Sequence, residues 1–476
     1  MFAYLNPDLQ LRGWDKLEYA LVSKSNAQTM FLRAREYQFL DLCNGEIDLS
    51  LPVFPAEFKE FLEEAVQKKI VIKSETPHPI LPDQKYFKYN NRFIRTVHWS
   101  ITGKCNCNCK HCFMSASEGT LGEMDHDTIM DICRQIVDCG IRKVSLTGGE
   151  PLICDSFWDV VDYFIAHDVR ITQIYSNGLL VNQSFINQLK RRNIAPMINM
   201  SFDGVGYHDW LRGLNGAEDA VNDAFRVCRD NNIPTGSEMC LHRKNLGSLR
   251  ESINHLAEVG CDNLKVVPIS EQGSWVENNC QSDTLTVKEL FDTYLDYIPW
   301  FYRDGAPLHL QLSGFFMANK HDLQRYILPM DRSKQDCEKV CLCNHARNTL
   351  YISPQGYTLS CISMGGSEDR FKYPMVQEIG LQKCLSDSSY IELVSTPAKT
   401  VIEHNEKCRD CEYRFACMGG CRASALETTP DDILGPDEAC CEFYKGQWGQ
   451  KIITLFTVKK TLIRPYWSLK NQTKKF

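Results

Sequence analysis

The chain lacks the features that mark membrane, secreted and nucleic-acid-binding proteins. No apolar run approaches the roughly 18 residues that are needed to cross a bilayer. The first sixteen residues, MFAYLNPDLQLRGWDK, lack the pattern of a signal peptide. A net charge of −7 excludes a general positive field, so we expect no nucleic acid partner. We therefore expect a cytoplasmic protein without a transmembrane segment.

Cysteine, by contrast, is abundant, with 23 among 476 residues. This density is too low for a small disulfide scaffold, and clustered thiols in a reducing cytosol hold metal or carry out redox chemistry. Nine cysteines are scattered through apolar patterns, where a thiol acts as a small buried hydrophobic group. The other fourteen fall into three short windows, at 105–112, 337–361 and 408–441.

Between residues 96 and 313 the sequence alternates between strand-like and helix-like segments. Six such pairs predict a parallel sheet that is covered by helices. A closed eight-unit barrel would need two further units, and the cysteine-rich region takes their place. We therefore predict an α/β fold with a partial, TIM-like (β/α)6 barrel. Functional residues of such barrels lie at the carboxyl ends of the strands.

Three further segments flank the predicted barrel. Residues 1–95 are predicted to form an α+β module that resembles a winged helix. Its predicted elements are a strand at 29–33, helices at 34–43 and 55–69, and a strand at 70–73. Residues 314–445 are rich in cysteine and glycine, which predicts a domain that bound clusters organise. Residues 446–476 form a basic extension without acidic residues, and we expect a solvated or docked tail.

The first cysteine window follows the first predicted barrel strand and contains the spacing C-x3-C-x2-C. Three thiolates on a short loop fit three corners of a [4Fe–4S] cluster. The fourth iron is left open, as in a catalytic metal centre. Cys107 is interpreted as a spectator thiol, and a zinc site that uses all four cysteines is the alternative. The next predicted strand is followed by Gly148–Pro151, with the sequence GGEP.

Together these motifs resemble the radical S-adenosylmethionine (SAM) superfamily over roughly residues 96–313. The resemblance implies that Cys105, Cys109 and Cys112 are catalytic and hold a [4Fe–4S] cluster whose open iron binds SAM. Reductive cleavage of SAM then gives a 5′-deoxyadenosyl radical, with an external one-electron reductant of the ferredoxin or flavodoxin type. The resemblance further implies a set of cofactor-binding residues: Phe113, Gly148, Gly149, Glu150, Ser176, Asn177, Ser201, Asp203 and Arg212. A structural salt bridge is the alternative role for Arg212.

The second and third cysteine windows together resemble the SPASM domain of peptide-modifying radical SAM enzymes. This resemblance implies two auxiliary [4Fe–4S] clusters, while a zinc ribbon is the alternative for 408–421. The implied ligands of the first cluster are Cys337, Cys343, Cys361 and Cys421, with Cys341 as the rival of Cys337. The implied ligands of the second are Cys408, Cys411, Cys417 and Cys440, with Cys441 as the rival of Cys440.

The stretch AREYQFLDLCNGEIDLS in the amino-terminal module is similar to the PqqD-like element that recognises leader peptides. Such a module binds the leader as an added β-strand, which implies a precursor peptide as the partner. A DNA-binding winged helix is the alternative, and the acidic residues of the predicted helix 55–69 disfavour it.

These resemblances imply a maturase that installs a crosslink in a ribosomally made precursor peptide, with a cysteine thioether as the first choice. A carbon–carbon or ether crosslink is the next choice. Formylglycine formation of the sulfatase-maturation type is disfavoured, because Ile362 stands where that family tends to place an Asp after the cysteine matching Cys361. A non-catalytic iron–sulfur carrier or scaffold would leave the motifs at 148–151 and 176–178 without a role.

Overall fold

The computed structural model describes residues 1–320, 324–343, 347–456 and 463–465. The amino-terminal module contains two helices and two small sheets. Its elements are β1 (Phe2–Leu5), β2 (Leu9–Asp15), β3 (Leu17–Ser23), β4 (Thr29–Phe31), α1 (Ala34–Leu42), α2 (Ala56–Gln67), β5 (Val71–Ser74) and β6 (Phe87–Arg92). β1 pairs with β5, and the other four strands form a sheet in the order β4-β3-β2-β6.

Both predicted helices and both predicted strands of this module are present, but four strands come in addition. The sequence pattern does not predict β1, β2, β3 or β6. β2 buries five consecutive residues, from Gln10 to Trp14, so the alternation that marks a half-buried strand is missing. The module has its own apolar core, to which α2 contributes Phe58, Leu62 and Ala65.

Residues 96–303 confirm the predicted partial barrel, since six parallel strands alternate with helices. The elements are β7 (Thr96–Ser100), α3 (His126–Asp138), β8 (Lys143–Thr147), α4 (Phe157–Ala166), β9 (Arg170–Ser176), α5 (Gln183–Arg191), β10 (Met197–Ser201), α6 (His208–Arg212), α7 (Ala217–Asp230), β11 (Thr235–Leu241), α8 (Leu249–Val259), β12 (Asn263–Pro268), α9 (Ser274–Glu277) and α10 (Val287–Arg303).

The strands place apolar side chains against the helices and polar ones in the lumen. On β7, Val97 and Trp99 are fully buried, and the Trp99 ring contacts Phe164 of α4. The intervening His98 stacks on Tyr175 of β9. Because the six strands run in parallel, their carboxyl ends lie on one rim.

The sheet continues beyond the six predicted strands on both edges. The remaining elements are β13 (His309–Leu312), β14 (Phe316–Ala318), β15 (Arg325–Ile327), α11 (Lys334–Lys339), β16 (Thr349–Ile352), β17 (Thr358–Leu359), α12 (Val376–Ile379), α13 (Leu381–Cys384), α14 (Ser389–Ser395), α15 (Ala398–His404), α16 (Glu406–Arg409), α17 (Arg414–Cys417), α18 (Arg422–Thr428), α19 (Glu438–Lys445), α20 (Trp448–Phe456) and β18 (Ile463–Pro465). β13 adds to β12 and β16 adds to β7, both in parallel. The strand β16 of the cysteine-rich segment therefore lies beside β7, the first strand of the barrel.

The amino-terminal module is anchored on the turn between α3 and β8. Trp14 Nε1 and Asn91 Nδ2 both donate to the carbonyl oxygen of Cys139, each at 3.1 Å. Most of the predicted basic extension lies outside the described residues, which include only α20 and the short β18 from that part of the chain.

Candidate functional site

The four cysteines of the first window lie on the loop that joins β7 to α3. Cys107 and Cys109 are buried, while Cys105 and Cys112 are partly exposed. Backbone amides donate to two of the sulfur atoms: the N–H of Cys107 to Cys105 and the N–H of Ala116 to Cys112, both at 3.4 Å. Such donors stabilise the charged form of a thiol, so the loop is arranged to present thiolates.

The pKa values of these thiols are shifted in different directions. A hydrogen bond with Cys107 lowers the pKa of Cys105 to about 7. A hydrogen bond with Cys107, assisted by the Arg212 guanidinium, lowers the pKa of Cys109 to about 6. Burial raises the pKa of Cys112. Because metal ligands must be thiolates, this three-thiol set with two lowered pKa values fits a [4Fe–4S] cluster.

Cys107 lies among the other thiols rather than apart from them. Its hydrogen bonds with Cys105 and Cys109 raise its own pKa. Asn177 Nδ2, at the end of β9, donates to Cys107 Sγ at 3.3 Å. Cys107 thus acts as a neutral donor to its neighbours, in keeping with a spectator thiol, and the ligand set of this loop stays a prediction.

Gly148 and Gly149 bring the end of β8 against the cysteine loop. The N–H of Gly149 donates to the carbonyl of Thr102 and that of Glu150 to the carbonyl of Lys104, both at 2.9 Å. A Cβ atom on Gly149 would lie 2.2 Å from the Lys104 oxygen. Glycine is therefore required here for contact between two backbones, before any ligand is considered.

The Glu150 carboxylate connects the ends of β8 and β9. It is fully buried and accepts hydrogen bonds from the Ser176 hydroxyl at 3.0 Å, from the N–H of Asn177 at 2.7 Å and from the N–H of Leu152 at 3.1 Å. Burial raises its pKa to about 7 despite these donors. The predicted cofactor residues Glu150, Ser176 and Asn177 thus form one hydrogen-bonded unit.

Arg212, from the end of α6, forms a buried ion pair with Asp203, which follows β10. Its Nε and Nη2 lie 2.8 and 2.7 Å from Asp203 Oδ2, and its Nη1 lies 3.6 Å from Cys109 Sγ. Burial alone would raise the pKa of Asp203, but Arg212 and His208 hold it well below the usual range. The salt bridge considered for Arg212 is present, and it reaches the cysteine loop.

Phe113 and Ser201 complete the predicted set on the same rim. Ser201 is the partly exposed last residue of β10. The backbone of Phe113 is packed under Gly273, where a Cβ atom would lie 2.9 Å from Phe113 Cα. The Phe113 ring lies against Gly365, near the second cysteine window, with 3.2 Å between Cε2 and a Cβ placed on that glycine.

Sequence reasoning missed that His111 of the cysteine loop and Cys240 come together with the predicted Asp203. Ligand atoms of His111, Asp203 and Cys240 lie within 4.8 Å of one another. Cys240 was interpreted as a scattered hydrophobic thiol, but its N–H donates to Asp203 at 3.0 Å. The position of Cys240 at the end of β11 was the available signal. Since Arg212 already neutralises Asp203, we assign no metal to this group.

Three of the predicted ligands of the first auxiliary cluster lie near one another, two from the second window and Cys421 from the third. Burial raises the pKa of Cys343 to about 11 and of Cys361 to about 12, and the charge of Cys421 adds to both shifts. Cys337 instead packs with Ala398, Ile402 and Met418, and its sulfur donates to the Lys334 carbonyl at 2.9 Å. Cys341 donates to the carbonyl of Ser395 at 3.5 Å. The choice between Cys337 and Cys341 therefore stays open.

The third window forms a small cavity that contains five thiols. Its cysteines are Cys408, Cys411, Cys417, Cys440 and Cys441. A hydrogen bond with Cys440 lowers the pKa of Cys417, and the charge of Cys408 acts on Cys441. Both members of the adjacent pair therefore face the predicted ligands.

Comparisons with known proteins place this rim in a family. Residues 99–256 match the Radical SAM superfamily. The AdoMet-dependent heme synthase of Methanosarcina barkeri is 23% identical over 362 residues, which cover 74% of this chain and 97% of the relative. The mycofactocin maturase MftC of Mycobacterium tuberculosis is 23% identical over 352 residues, which cover 72% and 82%.

Solved structures share the fold over a longer range. Streptococcus suis SuiB bound to its precursor peptide SuiA has a TM-score of 0.64 and 16% identity, and the match covers 93% of this chain and 100% of SuiB. Native anSMEcpe with bound AdoMet has a TM-score of 0.56 and 15% identity, covering 76% and 97%. Within the described part of the chain, no helix combines the length and apolar character needed to cross a membrane. Residues 99–256 of this chain are therefore a radical SAM domain, and this superfamily implies a [4Fe–4S] cluster and SAM.

Proposed function

We propose that this enzyme modifies a ribosomally made precursor peptide. The observation that carries the proposal is the joint presence of the cysteine-loop rim and the amino-terminal module in one fold. SuiB bound to its precursor peptide has the same overall fold over 93% of this chain. The curated maturase MftC adds support from sequence.

The cluster, when bound with SAM, supplies a 5′-deoxyadenosyl radical that abstracts a hydrogen atom from the substrate. Cys105, Cys109 and Cys112 hold the cluster, and Arg212 neutralises charge at Cys109. Gly148 and Gly149 fix the β8 end beside this loop, and the Glu150 unit fixes β9 to β8. Phe113 and Ser201 line the rim on which SAM and the peptide meet.

The auxiliary thiols are assigned to two further [4Fe–4S] clusters. Cys343, Cys361 and Cys421, completed by Cys337 or Cys341, hold the first. The second is held by Cys408, Cys411, Cys417 and either Cys440 or Cys441. Proximity of Cys343, Cys361 and Cys421 in the first set, and of all five thiols in the second, supports this assignment. A ferredoxin- or flavodoxin-type protein supplies the electron for SAM cleavage.

Residues 1–95 are assigned to leader recognition, 96–313 to SAM cleavage and 314–445 to the auxiliary clusters, with 446–476 as the basic extension. The docking strand is assigned to β4, which forms one edge of the four-stranded sheet, with β6 at the other edge. In an antiparallel pair of strands, every second residue directs its N–H and C=O groups away from the partner strand. On β4 these residues are Thr29 and Phe31, so their N–H and C=O groups point to the free edge of the sheet. A leader strand can add to this edge.

The bond formed is assigned to a crosslink, with a cysteine thioether as the first choice. The test is co-expression with the short peptide encoded next to the gene, followed by mass spectrometry. Loss of two hydrogens and of one free thiol per crosslink is the expected result. An unmodified peptide from active, SAM-cleaving enzyme would contradict the proposal.

A second candidate is modification of a tetrapyrrole, which the similarity to an AdoMet-dependent heme synthase favours. The two candidates are separated by incubating the reconstituted enzyme with a tetrapyrrole precursor of heme and, separately, with the peptide. Turnover of the tetrapyrrole with no change in the peptide would favour this second candidate.

A further inference from the structure

A fully buried cation lies where the two sets of auxiliary thiols meet in the chain. Arg422 is the first residue of α18 and directly follows Cys421, which is assigned to the first auxiliary cluster. Its side chain is 0% exposed, whereas an arginine is almost never fully buried unless it is paired. Its hydrogen-bond partners among the described residues are backbone carbonyl oxygens, and none is a carboxylate. The charge therefore requires compensation from another negative group.

The guanidinium joins two segments that carry auxiliary thiols. Its Nη1 donates to the carbonyl oxygens of Ile433 at 3.0 Å and of Gly435 at 2.8 Å, on the segment before α19. Its Nη2 donates to the carbonyl oxygen of Gly419. Gly419 is two residues from Cys417 and two from Cys421, so its Cα lies within about 8 Å of the Cα of either cysteine. The cation is thus held beside one proposed ligand of each auxiliary cluster.

One donor of this guanidinium has no partner in the described part of the chain. The Nε atom of Arg422 is buried and makes no hydrogen bond there. The sulfur atoms of iron–sulfur clusters accept hydrogen bonds, and such bonds and nearby charge set the reduction potential of the cluster. The free donor and the unpaired charge therefore fit the negatively charged clusters that are assigned to these thiols.

A buried carboxylate binds the same turn. Asp437 is 5% exposed, and its Oδ2 accepts from the N–H of Cys421 at 2.7 Å. Its Oδ1 accepts from the N–H of Cys440 at 3.0 Å and from the Ser424 hydroxyl at 2.9 Å. These donors are uncharged, so they leave the charge of the carboxylate in place. The turn therefore has two buried charges of opposite sign beside it, each bound to neutral partners.

We infer that Arg422 is a positioning residue that raises the reduction potentials of the auxiliary clusters, an inference that rests on the proposed function. A cluster gains one negative charge when it takes up an electron. A fixed positive charge nearby stabilises this reduced state, and burial keeps water from screening the effect. Asp437 has the opposite effect, because its charge is negative.

The test is an anaerobic redox titration of the reconstituted full-length enzyme, followed by electron paramagnetic resonance. The parent protein has alanine in place of the three cysteines of the C-x3-C-x2-C motif, so that the auxiliary signals are recorded alone. Iron and sulfide contents report cluster loading. Arg422→Gln removes the charge and keeps a donor, Arg422→Lys keeps the charge, and Asp437→Asn removes the opposite charge. Arg414→Met is the matched control, because Arg414 is partly exposed and donates to the Cys411 carbonyl at 2.8 Å in the same window.

Arg422→Gln should shift the reduction equilibrium of the auxiliary clusters about tenfold toward the oxidised state, which is about 59 mV to lower potential for one electron. This magnitude is typical of a unit charge about 10 Å away at an effective dielectric constant of about 20. Arg422→Lys should stay close to the parent protein, and Asp437→Asn should shift to higher potential. Arg414→Met should change the potentials less than Arg422→Gln, because solvent screens an exposed charge.

Unchanged potentials in fully loaded Arg422→Gln would overturn the inference. Equal downward shifts in Arg422→Gln and Asp437→Asn would also overturn it, because the cause would then be loss of structure rather than of charge. If Arg422→Gln binds no cluster, the other two variants decide. Parent-like potentials in Arg422→Lys with an upward shift in Asp437→Asn would support the inference, and any other pattern would overturn it. A parent protein without auxiliary [4Fe–4S] signals would instead contradict the clusters of the proposed function.

Discussion

Breaking the buried pair of Asp203 and Arg212 should cost far more stability than breaking a pair at the surface. The Arg212→Met variant leaves the Asp203 carboxylate, which is 0% exposed, with the N–H of Cys240 as a remaining donor. Removing one partner of a buried ion pair costs about 3–5 kcal/mol, because the other charge stays in a poorly solvated site. Asp203→Asn should cost less, since Arg212 still faces the sulfur of Cys109.

The measurement is urea unfolding of the reconstituted enzyme, followed by tryptophan fluorescence without oxygen at pH 7.5. The double variant should be less destabilised than the sum of the single variants, because the uncompensated charge is absent from it. Asp162→Asn is the matched control: Asp162 is half-exposed and binds Arg192 through two contacts, at 2.5 and 2.8 Å. Exposed pairs contribute about 0–1 kcal/mol.

The pH dependence of this pair has a defined sign. The pKa of Asp203 is lowered in the folded protein, so the pair stabilises the fold above the ordinary carboxyl pKa. This contribution is lost as the pH falls below that value. A loss in Arg212→Met no larger than that in Asp162→Asn would refute the reasoning, since it would mean that Asp203 is well solvated.

Three further changes test other parts of the molecule. Gly149→Ala should abolish SAM cleavage and reduce bound iron, because the new Cβ would meet a backbone oxygen at 2.2 Å, whereas Gly247→Ala has open space and should preserve both. The folded pKa of Glu150, about 7, lies above the ordinary 4.5. The contribution of Glu150 to wild-type stability should therefore be lost as the pH rises from about 4.5 to 7. The urea midpoint should fall less between pH 5.5 and pH 7.5 in Glu150→Gln than in the wild type. Phe31→Pro should weaken peptide binding, measured by fluorescence anisotropy, at least tenfold and leave SAM cleavage unchanged. Phe31→Ala keeps the backbone N–H and should weaken binding less. Equal losses in the two variants would argue against an added strand.

The barrel could be predicted because its strands and helices differ in period and alternate regularly. The pattern fails where a strand buries both faces, as in β2, or where a strand is very short, as in β17. The pairing of β16 with β7 was also beyond sequence reasoning, because it joins Thr349 to Thr96 across about half of the chain. Local pattern carries no information about such contacts.

Within the site, the sequence identifies the thiols and glycines but not the partners of the charged residues. The spacing of the cysteines and the GGEP sequence are specific, because few other functions require these residue types in this order. That Glu150 binds Ser176 and Asn177, or that Arg212 binds Asp203, depends on which strand ends meet in space. The choice between Cys440 and Cys441 depends on spatial arrangement in the same way, because the two are neighbours on α19 and both line the cavity of the third window.

The pKa values of the two buried carboxyl groups of the rim are shifted in opposite directions, and this difference follows from their donors. Glu150 is held by neutral donors, a hydroxyl and two amides, which leave the pKa at about 7. Asp203 is held by a guanidinium and stays ionised. Because Arg212 also contacts Cys109, the Asp203 charge reduces the positive field at that thiolate without removing it. Loss of Asp203 should therefore strengthen the effect of Arg212 on the cysteine loop, and loss of Arg212 should expose Cys109 to an unpaired negative charge.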